Sequence, residues 1–224
     1  MRQKLLVPKI ILLVGMMGAG KTSVGRIVAK KLGLPFIDSD KEIEKITGFS
    51  ISDLFARYGE KEFRIGEEKI MERLLKGKPC VLSSGGGAFL SEKTRAVSQQ
   101  YAISIWLKAD TSVISKRTQG RTHRPLVPAA DNKKIVEQLI AERYPIYSEA
   151  DITIESFRES PFKTVSRLLN ELENRSLIEI LPEDTIPENK QLRYKRTKKQ
   201  MRKHNLFRYK KNAHIITSHT DKQD

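Results

Sequence analysis

The sequence predicts a three-layer α/β domain in which helices cover both faces of a five-stranded parallel sheet. Three observations support this class. Short apolar or β-branched runs recur along the chain, longer segments with helical periodicity separate them, and a glycine-rich turn follows the first run. Strands that alternate with helices form parallel sheets, which helices must cover on both faces.

The five apolar runs place the strands. They are "IILLV", "PFID", "CVLSS", "AISIWL" and "DITIE", at residues 10–14, 35–38, 80–84, 102–107 and 151–155. Helical periodicity is clearest at residues 21–32, 61–75, 132–144 and 161–172. The alternation therefore accounts for most of the chain up to residue 172.

Two segments depart from this alternation. About forty residues between the second and third runs contain helical pattern and no strand, which predicts a substrate-binding subdomain at residues 40–79. The segment "TQGRTHRPLVPAAD" at residues 118–131 interrupts the helical period with glycine, two prolines and basic residues. Such a composition is typical of a mobile loop, so we expect a lid there.

The net charge of +15 is unevenly distributed over the 224 residues. Residues 182–224 carry 12 Lys and Arg against 5 Asp and Glu, so they supply +7 of it. A basic body suits an enzyme that binds polyanions such as ATP, and a basic tail suits nucleic acid or an anionic surface. We expect a globular domain at residues 1–174 and a flexible basic extension at 175–224.

Cysteine content and hydropathy limit the location of the protein. The single cysteine, Cys80, excludes an internal disulfide and a multi-cysteine metal site, and it reads as a structural thiol in a buried strand. The N-terminal residues imitate a secretory signal, but cleavage near Ala19 would cut the glycine-rich turn. No run approaches the ~18 apolar residues of a membrane span. We expect a cytoplasmic monomer.

The glycine-rich turn is a phosphate-binding motif. The stretch "VGMMGAGKTSVGR" contains the pattern G-x-x-x-x-G-K-T from Gly15 to Thr22. In such a P-loop, backbone N–H groups point at phosphate oxygens, Lys21 reaches the β- and γ-phosphates, and the Thr22 hydroxyl binds Mg²⁺. The alternative is a turn that binds nothing, and the strand and helix on either side argue against it.

A P-loop does not by itself name a reaction, since GTPases, motor ATPases and small kinases all use one. The sequence contains no N-K-x-D guanine signal, no ABC-transporter signature and no helicase motifs. A compact nucleotide-dependent kinase is therefore favoured.

Two acids end the second run, in "FIDSD". Asp38 and Asp40 would lie on one side of an extended segment at the carboxyl edge of the sheet, where open α/β folds bind ligands. One carboxylate can hold Mg²⁺ through water while the other orients or accepts the proton of an attacking hydroxyl. A pair of helix N-cap residues is the equally plausible alternative.

Three further features suit an anionic acceptor. Arg64 lies in "GEKEFRIGE", Arg143 lies in "AERYPIY", and three glycines follow a strand in "SSGGGAF". Consecutive glycines let the backbone approach a ligand closely, and two separated arginines can clamp a carboxylate. A solvated salt bridge is the alternative for either arginine alone.

Taken together, these motifs resemble the shikimate kinase family of small P-loop kinases. The resemblance covers about residues 9–173 and rests on six motifs in the family's order: "GMMGAGKTSVGR", "FIDSDKEIE", "GEKEFRIGE", "SSGGGA", "RTQGRTHRPL" and "ERYPIY". It implies a P-loop kinase fold with a mobile lid, and ATP-dependent phosphorylation of the 3-hydroxyl of shikimate, with Mg²⁺, in aromatic amino-acid biosynthesis.

The resemblance also implies a role for each matching residue. ATP would be bound by Gly18, Ala19, Gly20, Lys21, Thr22, Ser23, Arg117 and Arg124. The metal would be held by Thr22 and, through water, by Asp38. Shikimate would be bound by Asp40, Arg64, Gly85, Gly86, Gly87 and Arg143. Lys21, Asp40 and Arg124 would act in catalysis, and the lid would bring Arg124 to the phosphate. Arg117 would stack on the adenine. Arg64 and Arg143 would hold the shikimate carboxylate.

Two alternatives stay open. A kinase of another small hydroxy acid, such as gluconate, would share the P-loop and the sheet. The tail "RYKRTKKQMRKHNLFRYKK" interleaves aromatic and basic residues, as a segment that contacts nucleic acid would. A solvated extension is the interpretation we favour for the tail.

Overall fold

Five parallel strands form the central sheet of the computed structural model. The described residues contain seven strands in all, which are β1 (Arg2–Leu5), β2 (Ile10–Val14), β3 (Phe36–Asp38), β4 (Val81–Ser83), β5 (Ala102–Lys108), β6 (Ile152–Glu155) and β7 (Ile178–Leu181). The sheet has the order β3-β4-β2-β5-β6, and β1 and β7 form a separate two-stranded sheet. The predicted five-stranded sheet is confirmed, whereas β1 and β7 were not predicted.

The structure describes residues 2–6, 9–118 and 132–181. The chain divides into one unit at Arg2–Ile180 and a second made of Met1 and Leu181–Asp224, of which only Leu181 is described. Apart from Thr118, the predicted lid lies outside the described residues, and so does the predicted tail from residue 182 onward. The domain boundary at 174/175 remains a prediction, although described structure continues past it into β7.

Seven α-helices occur in the described ranges. They are α1 (Lys21–Leu32), α2 (Ser39–Thr47), α3 (Ile51–Leu75), α4 (Glu92–Tyr101), α5 (Thr111–Thr118), α6 (Asn132–Tyr147) and α7 (Pro161–Asn174), with a short 3-10 helix at Ala88–Leu90. Glycine in the left-handed region ends α1 at Gly33 and α2 at Gly48. Ser50 is the N-cap of α3, and its hydroxyl accepts a hydrogen bond from the Asp53 N–H.

The core follows from the pattern of the central strands. All five residues of β2 are buried, as expected for a strand with parallel neighbours on both edges and helices on both faces. The pairing of Leu13 with Ser83 and of Asp38 with Ser83 aligns the carboxyl ends of β2, β4 and β3. The loops that carry the predicted site residues therefore leave the sheet at one edge.

The long helix α3 is interrupted within the predicted substrate-binding subdomain at residues 40–79. Gly59 has φ 75° and ψ 170°, which no residue inside a regular helix adopts. Leu54 and Phe63, on either side of this break, are buried with Ile43 of α2 in a second, smaller apolar cluster. Thus α2 and α3 pack on each other with a core of their own.

Within the described ranges, no helix combines the length and the hydrophobicity that crossing a bilayer requires.

Candidate active site

The P-loop connects β2 to α1 and takes its shape from three glycines. Gly15, Gly18 and Gly20 have φ values of 129°, 77° and 102°, in the region that side chains other than glycine rarely adopt. A Cβ atom at Gly15 would lie 2.7 Å from the Leu107 carbonyl oxygen. The loop thus needs glycine both for its backbone angles and for its contact with β5.

Lys21 begins α1 and extends back over the loop. Its ammonium group donates hydrogen bonds to the carbonyl oxygens of Gly15 at 2.7 Å and Met16 at 3.0 Å. The side chain is buried, and it lines a cavity next to the N-terminus of α1. A cation and a helix N-terminus that face one cavity form a binding site for anions.

Thr22 and Asp38 meet across the same cavity. The Thr22 hydroxyl donates a hydrogen bond to Asp38 Oδ2 at 3.0 Å. The structure corrects one premise of the sequence analysis, because α2 begins at Ser39 and Asp40 therefore lies in its first turn rather than in an extended segment. Asp38 occupies the N-cap position but makes no side-chain capping bond, so its carboxylate remains directed toward Thr22.

This nucleotide cavity has a volume of about 540 Å³. Its lining includes Gly18, Gly20, Lys21, Thr22, Ser23, Asp38, Asp40, Glu44, Gly86, Arg117, Glu159 and Pro161. All the predicted nucleotide and metal residues in the described ranges except Ala19 line it. Ala19 is buried, and its carbonyl accepts a hydrogen bond from the Ser156 hydroxyl at 2.8 Å.

Arg117 contacts the P-loop from the end of α5. Its guanidinium group donates to the carbonyl oxygens of Gly18 at 3.1 Å and Ala19 at 3.4 Å, and to that of Phe157 at 2.8 Å. Burial lowers the pKa of Arg117, partly offset by the Glu159 carboxylate. The residue therefore joins the loop, α5 and the segment after β6.

A second cavity, which we call the acceptor cavity, has a volume of about 660 Å³. It is lined by Met17, Asp40, Glu44, Ser50, Ile51, Ser52, Asp53, Phe55, Phe63, Arg64, Glu67, Gly85, Gly86, Gly87 and Arg143. Every predicted substrate residue lies on this list. Asp40, Glu44 and Gly86 line both cavities, so the two cavities meet at these residues.

Arg64 is held in the acceptor cavity by two acids. Its guanidinium group pairs with Glu67 at 2.7 Å and with Glu60 at 2.9 Å. Burial raises the pKa of Glu67, opposed by Arg64 and reinforced by nearby Asp40. Burial alone would lower the pKa of Arg64, but Glu67 and Glu60 outweigh it and raise that pKa. Arg64 is thus a fixed cation rather than a mobile surface side chain.

The glycine triplet makes room for these charged groups. A Cβ atom at Gly85 would lie 2.6 Å from Asp40 Oδ1 and 2.8 Å from Glu67 Oε1, and one at Gly87 would lie 2.2 Å from Arg64 Nη1. The Gly85 N–H donates to the buried Ser39 hydroxyl at 2.8 Å. The backbone at these positions therefore forms one wall of the acceptor cavity.

Arg143 reaches the cavity from α6. It is only 7% exposed, and none of the ion pairs among the described residues involves it. Burial raises the pKa of Tyr147, one turn further along the helix, and the positive charge of Arg143 opposes this shift. A buried guanidinium that lines a cavity in this way suits an anionic ligand.

Sequence reasoning missed several residues that support the site. Glu67 lies three residues after Arg64, and this helical spacing was a usable signal. Ser39, Tyr147 and Ser156 gave no signal, because their partners are distant in sequence. Arg124 lies outside the described residues.

The fold and the two joined cavities define a P-loop nucleotide-dependent kinase with a small-molecule acceptor. The shikimate kinase family model matches residues 17–173, and the chain belongs to this family. The shikimate kinase of Paramagnetospirillum magneticum is 52% identical over 162 residues, which are 72% of this chain and 83% of that protein. That of Rhizobium leguminosarum is 53% identical over 144 residues, which are 64% of this chain and 74% of that protein.

A solved structure also resembles this chain and belongs to a shikimate kinase. The shikimate kinase of Acinetobacter baumannii, in complex with shikimate, is 35% identical with a TM-score of 0.74, and the match covers 76% of this chain and 96% of that chain. The α/β P-loop kinase fold predicted from the sequence is confirmed.

Proposed function

We propose that this protein transfers the γ-phosphoryl group of ATP to the 3-hydroxyl of shikimate, giving shikimate 3-phosphate and ADP in aromatic amino-acid biosynthesis. The observation that carries the proposal is the junction of the two cavities at Asp40 and Gly86. A P-loop lies on one side of the junction and two arginines lie on the other. This arrangement fits a triphosphate donor and a hydroxylated carboxylic acid as acceptor.

On the donor side, the P-loop residues would bind the phosphates of ATP. Successive N–H groups of Gly18 to Ser23 and the N-terminus of α1 would surround the phosphate oxygens. The Lys21 ammonium, which now contacts loop carbonyls, would turn to the β- and γ-phosphates and stabilise charge as the phosphoryl group leaves.

Thr22 and Asp38 are the residues that would hold Mg²⁺, Asp38 through water. Their oxygens are the hard donors that this ion prefers, and their contact at 3.0 Å beside the P-loop fits the role. Bound there, Mg²⁺ would neutralise charge on the phosphates.

On the acceptor side, Asp40 would orient the attacking hydroxyl and accept its proton. Arg64 and Arg143 would hold the carboxylate of shikimate through charge-assisted hydrogen bonds. Gly85, Gly86 and Gly87 would let the backbone contact the ring. These groups fix the acceptor in line with the phosphate, which is the main requirement of phosphoryl transfer.

Arg117 and Arg124 would complete the site from the lid side. We propose that Arg117 stacks on adenine from the end of α5, where it already lines the nucleotide cavity. Arg124 would come onto the transferring phosphate when the lid excludes water. The cytoplasmic location, the monomeric state and the contacts of the basic tail stay predictions.

A coupled assay of ADP release tests the proposal. We expect ADP release to depend on shikimate and to be near background with gluconate or with nucleoside monophosphates. Equal or faster release with gluconate would instead favour the alternative acceptor class. ADP release without any acceptor would indicate a nucleotide hydrolase and contradict the proposal.

A further inference from the structure

The hydroxyl group of Tyr147 links the two components of the acceptor cavity that come from different parts of the chain. It donates a hydrogen bond to the carbonyl oxygen of Gly86, in the middle of the glycine triplet. The guanidinium group of Arg143 interacts electrostatically with the same hydroxyl, and it lies close to Gly86, since a Cβ atom at Gly86 would be 4.0 Å from Arg143 Nη1. One hydroxyl therefore joins α6 to the wall after β4.

Water is excluded from this link, because the side chains that surround it are buried. Tyr147 is fully buried at 0% exposure, and Arg143 is almost as well shielded at 7%. Burial also raises the pKa of Tyr147 to about 12, so the hydroxyl keeps its proton for Gly86 throughout the physiological range. Without this hydroxyl, the Gly86 carbonyl would lose its hydrogen-bond partner, and the Arg143 guanidinium would lose a polar neighbour, in a place that water cannot easily reach.

Gly86 lines both cavities, and Arg143 lines the acceptor cavity. Arginine side chains have four rotatable torsions, so an arginine that holds a ligand in a defined place needs a second fixed contact. Arg64 has Glu67 and Glu60 for this purpose. For Arg143, the corresponding neighbours are Tyr147 and the Gly86 backbone that the Tyr147 hydroxyl holds.

We propose that Tyr147 is a positioning residue for the acceptor, which fixes the guanidinium of Arg143 against Gly86 so that it meets the substrate carboxylate at a set distance from the P-loop. This inference rests on the proposed function, since it assumes that Arg143 binds the carboxylate.

Tyr144 provides a matched control one turn earlier on α6. Its ring also packs on Trp106, with centroids 4.9 Å apart against 6.1 Å for Tyr147. Its hydroxyl also donates to a backbone carbonyl, that of Ala109, and burial raises its pKa to about 12 as well. The two differ in their acceptors, because Gly86 lines both cavities and Ala109 lines neither. Tyr144→Phe and Tyr147→Phe therefore delete the same atom beside the same tryptophan, from a half-buried ring and from a fully buried one.

The test is a comparison of the two variants in steady-state kinetics with both substrates varied. We expect Tyr147→Phe to raise KM for shikimate about tenfold, as the loss of a buried hydrogen bond that leaves the Gly86 carbonyl unpaired implies, with KM for ATP unchanged. Tyr144→Phe should leave both KM values within about twofold of wild type, even if both variants melt at lower temperature. Equal shikimate KM values in the two variants, or a matching rise in KM for ATP, would overturn the positioning role.

If Tyr147→Phe does not fold, 3-fluorotyrosine placed at position 147 or at 144 keeps the ring and the hydroxyl while making the O–H group a stronger donor to Gly86 or to Ala109. We then expect KM for shikimate to change at 147 only, and an unchanged KM there would overturn the inference. A wild-type protein without shikimate-dependent ADP release would instead contradict the proposed function itself.

Discussion

The two cavities that meet at Asp40 are built in different ways. In the nucleotide cavity, the groups expected to bind phosphate come from one continuous segment, residues 18–23, whose shape is set by its glycines. The acceptor cavity takes its charged groups from α2, α3 and α6 and one wall from the glycine triplet, and its charged groups are held by pairs such as that of Arg64 with Glu67.

This difference indicates where each function is sensitive to substitution. A backbone site tolerates changes around it as long as its glycines and its lysine remain. A site assembled from distant side chains depends on residues that never contact the ligand, because they set the positions of those that do. We therefore expect donor-side variants to affect turnover, and variants in the supporting residues of the acceptor cavity to affect KM for shikimate alone.

The largest effect is expected for Lys21→Ala. Loss of the ammonium removes charge stabilisation at the transferring phosphoryl group, so kcat should fall by about a thousandfold or more while the fold is retained. Lys41→Ala is the matched control, because this exposed lysine lines the same cavity outside the P-loop. Near-normal ADP release by a folded Lys21→Ala protein would break the donor-side account.

Asp40→Asn is expected to reduce kcat by about a hundredfold, since an amide cannot accept the proton of the attacking hydroxyl. Binding of ATP, measured by calorimetry, should be nearly unchanged. Glu44→Gln makes the same chemical change at another residue that lines both cavities, and it should have a much smaller effect. Comparable losses in the two variants would show that Asp40 has no special role.

Arg64→Ala and Arg143→Ala should each raise KM for shikimate about tenfold to a hundredfold, because each removes charge-assisted hydrogen bonds. Arg57→Ala, at an exposed site on α3, serves as the control for a change in net charge. An equal increase in KM for ATP would contradict the separation of the two cavities.

Gly87→Ala tests the role of the glycine triplet. The added methyl group would occupy the space of the Arg64 guanidinium, which must move, so KM for shikimate should rise about tenfold. Gly66→Ala is the control, since a Cβ atom at this helical glycine has no neighbour within 4 Å. If Gly87→Ala has normal kinetics, the position of Arg64 is less critical than the structure implies.

The smallest effect on activity is expected from truncation. Removal of residues after Leu181 should leave melting temperature and ADP release unchanged. Removal of residues after Asn174 also deletes buried Ile178, which should cost about 2 kcal/mol of unfolding free energy. Equal thermal stability of the two truncated proteins would support the boundary predicted at 174/175.

Much of the fold and the whole P-loop could be predicted, because the sequence signals for them are local. The run "IILLV" became β2 at its predicted bounds, and the P-loop was identified from its own letters. The first turn of α2 was misjudged at Asp40, because "FIDSD" carries both strand and N-cap signals. The strands β1 and β7 were missed because each is short and pairs with a segment more than 170 residues away.

The supporting contacts of the acceptor cavity could not be predicted, since they join residues that only the folded chain brings together. Gly85 meets Ser39 across 46 positions, and Tyr147 meets Gly86 across 61. The family resemblance named the residues expected to bind the ligand, but it carried no information about those that hold them in place.

The central claim is that Arg64 and Arg143 bind the carboxylate of the acceptor independently of the donor site. It is tested most directly by steady-state kinetics of the wild-type, Arg64→Ala and Arg143→Ala proteins with shikimate and with an analogue that lacks the carboxylate. We predict that KM for shikimate rises in both variants while KM for the analogue stays at its wild-type value. If the analogue is affected by the substitutions as strongly as shikimate, the arginines do not bind the carboxylate and the account of the acceptor cavity is wrong.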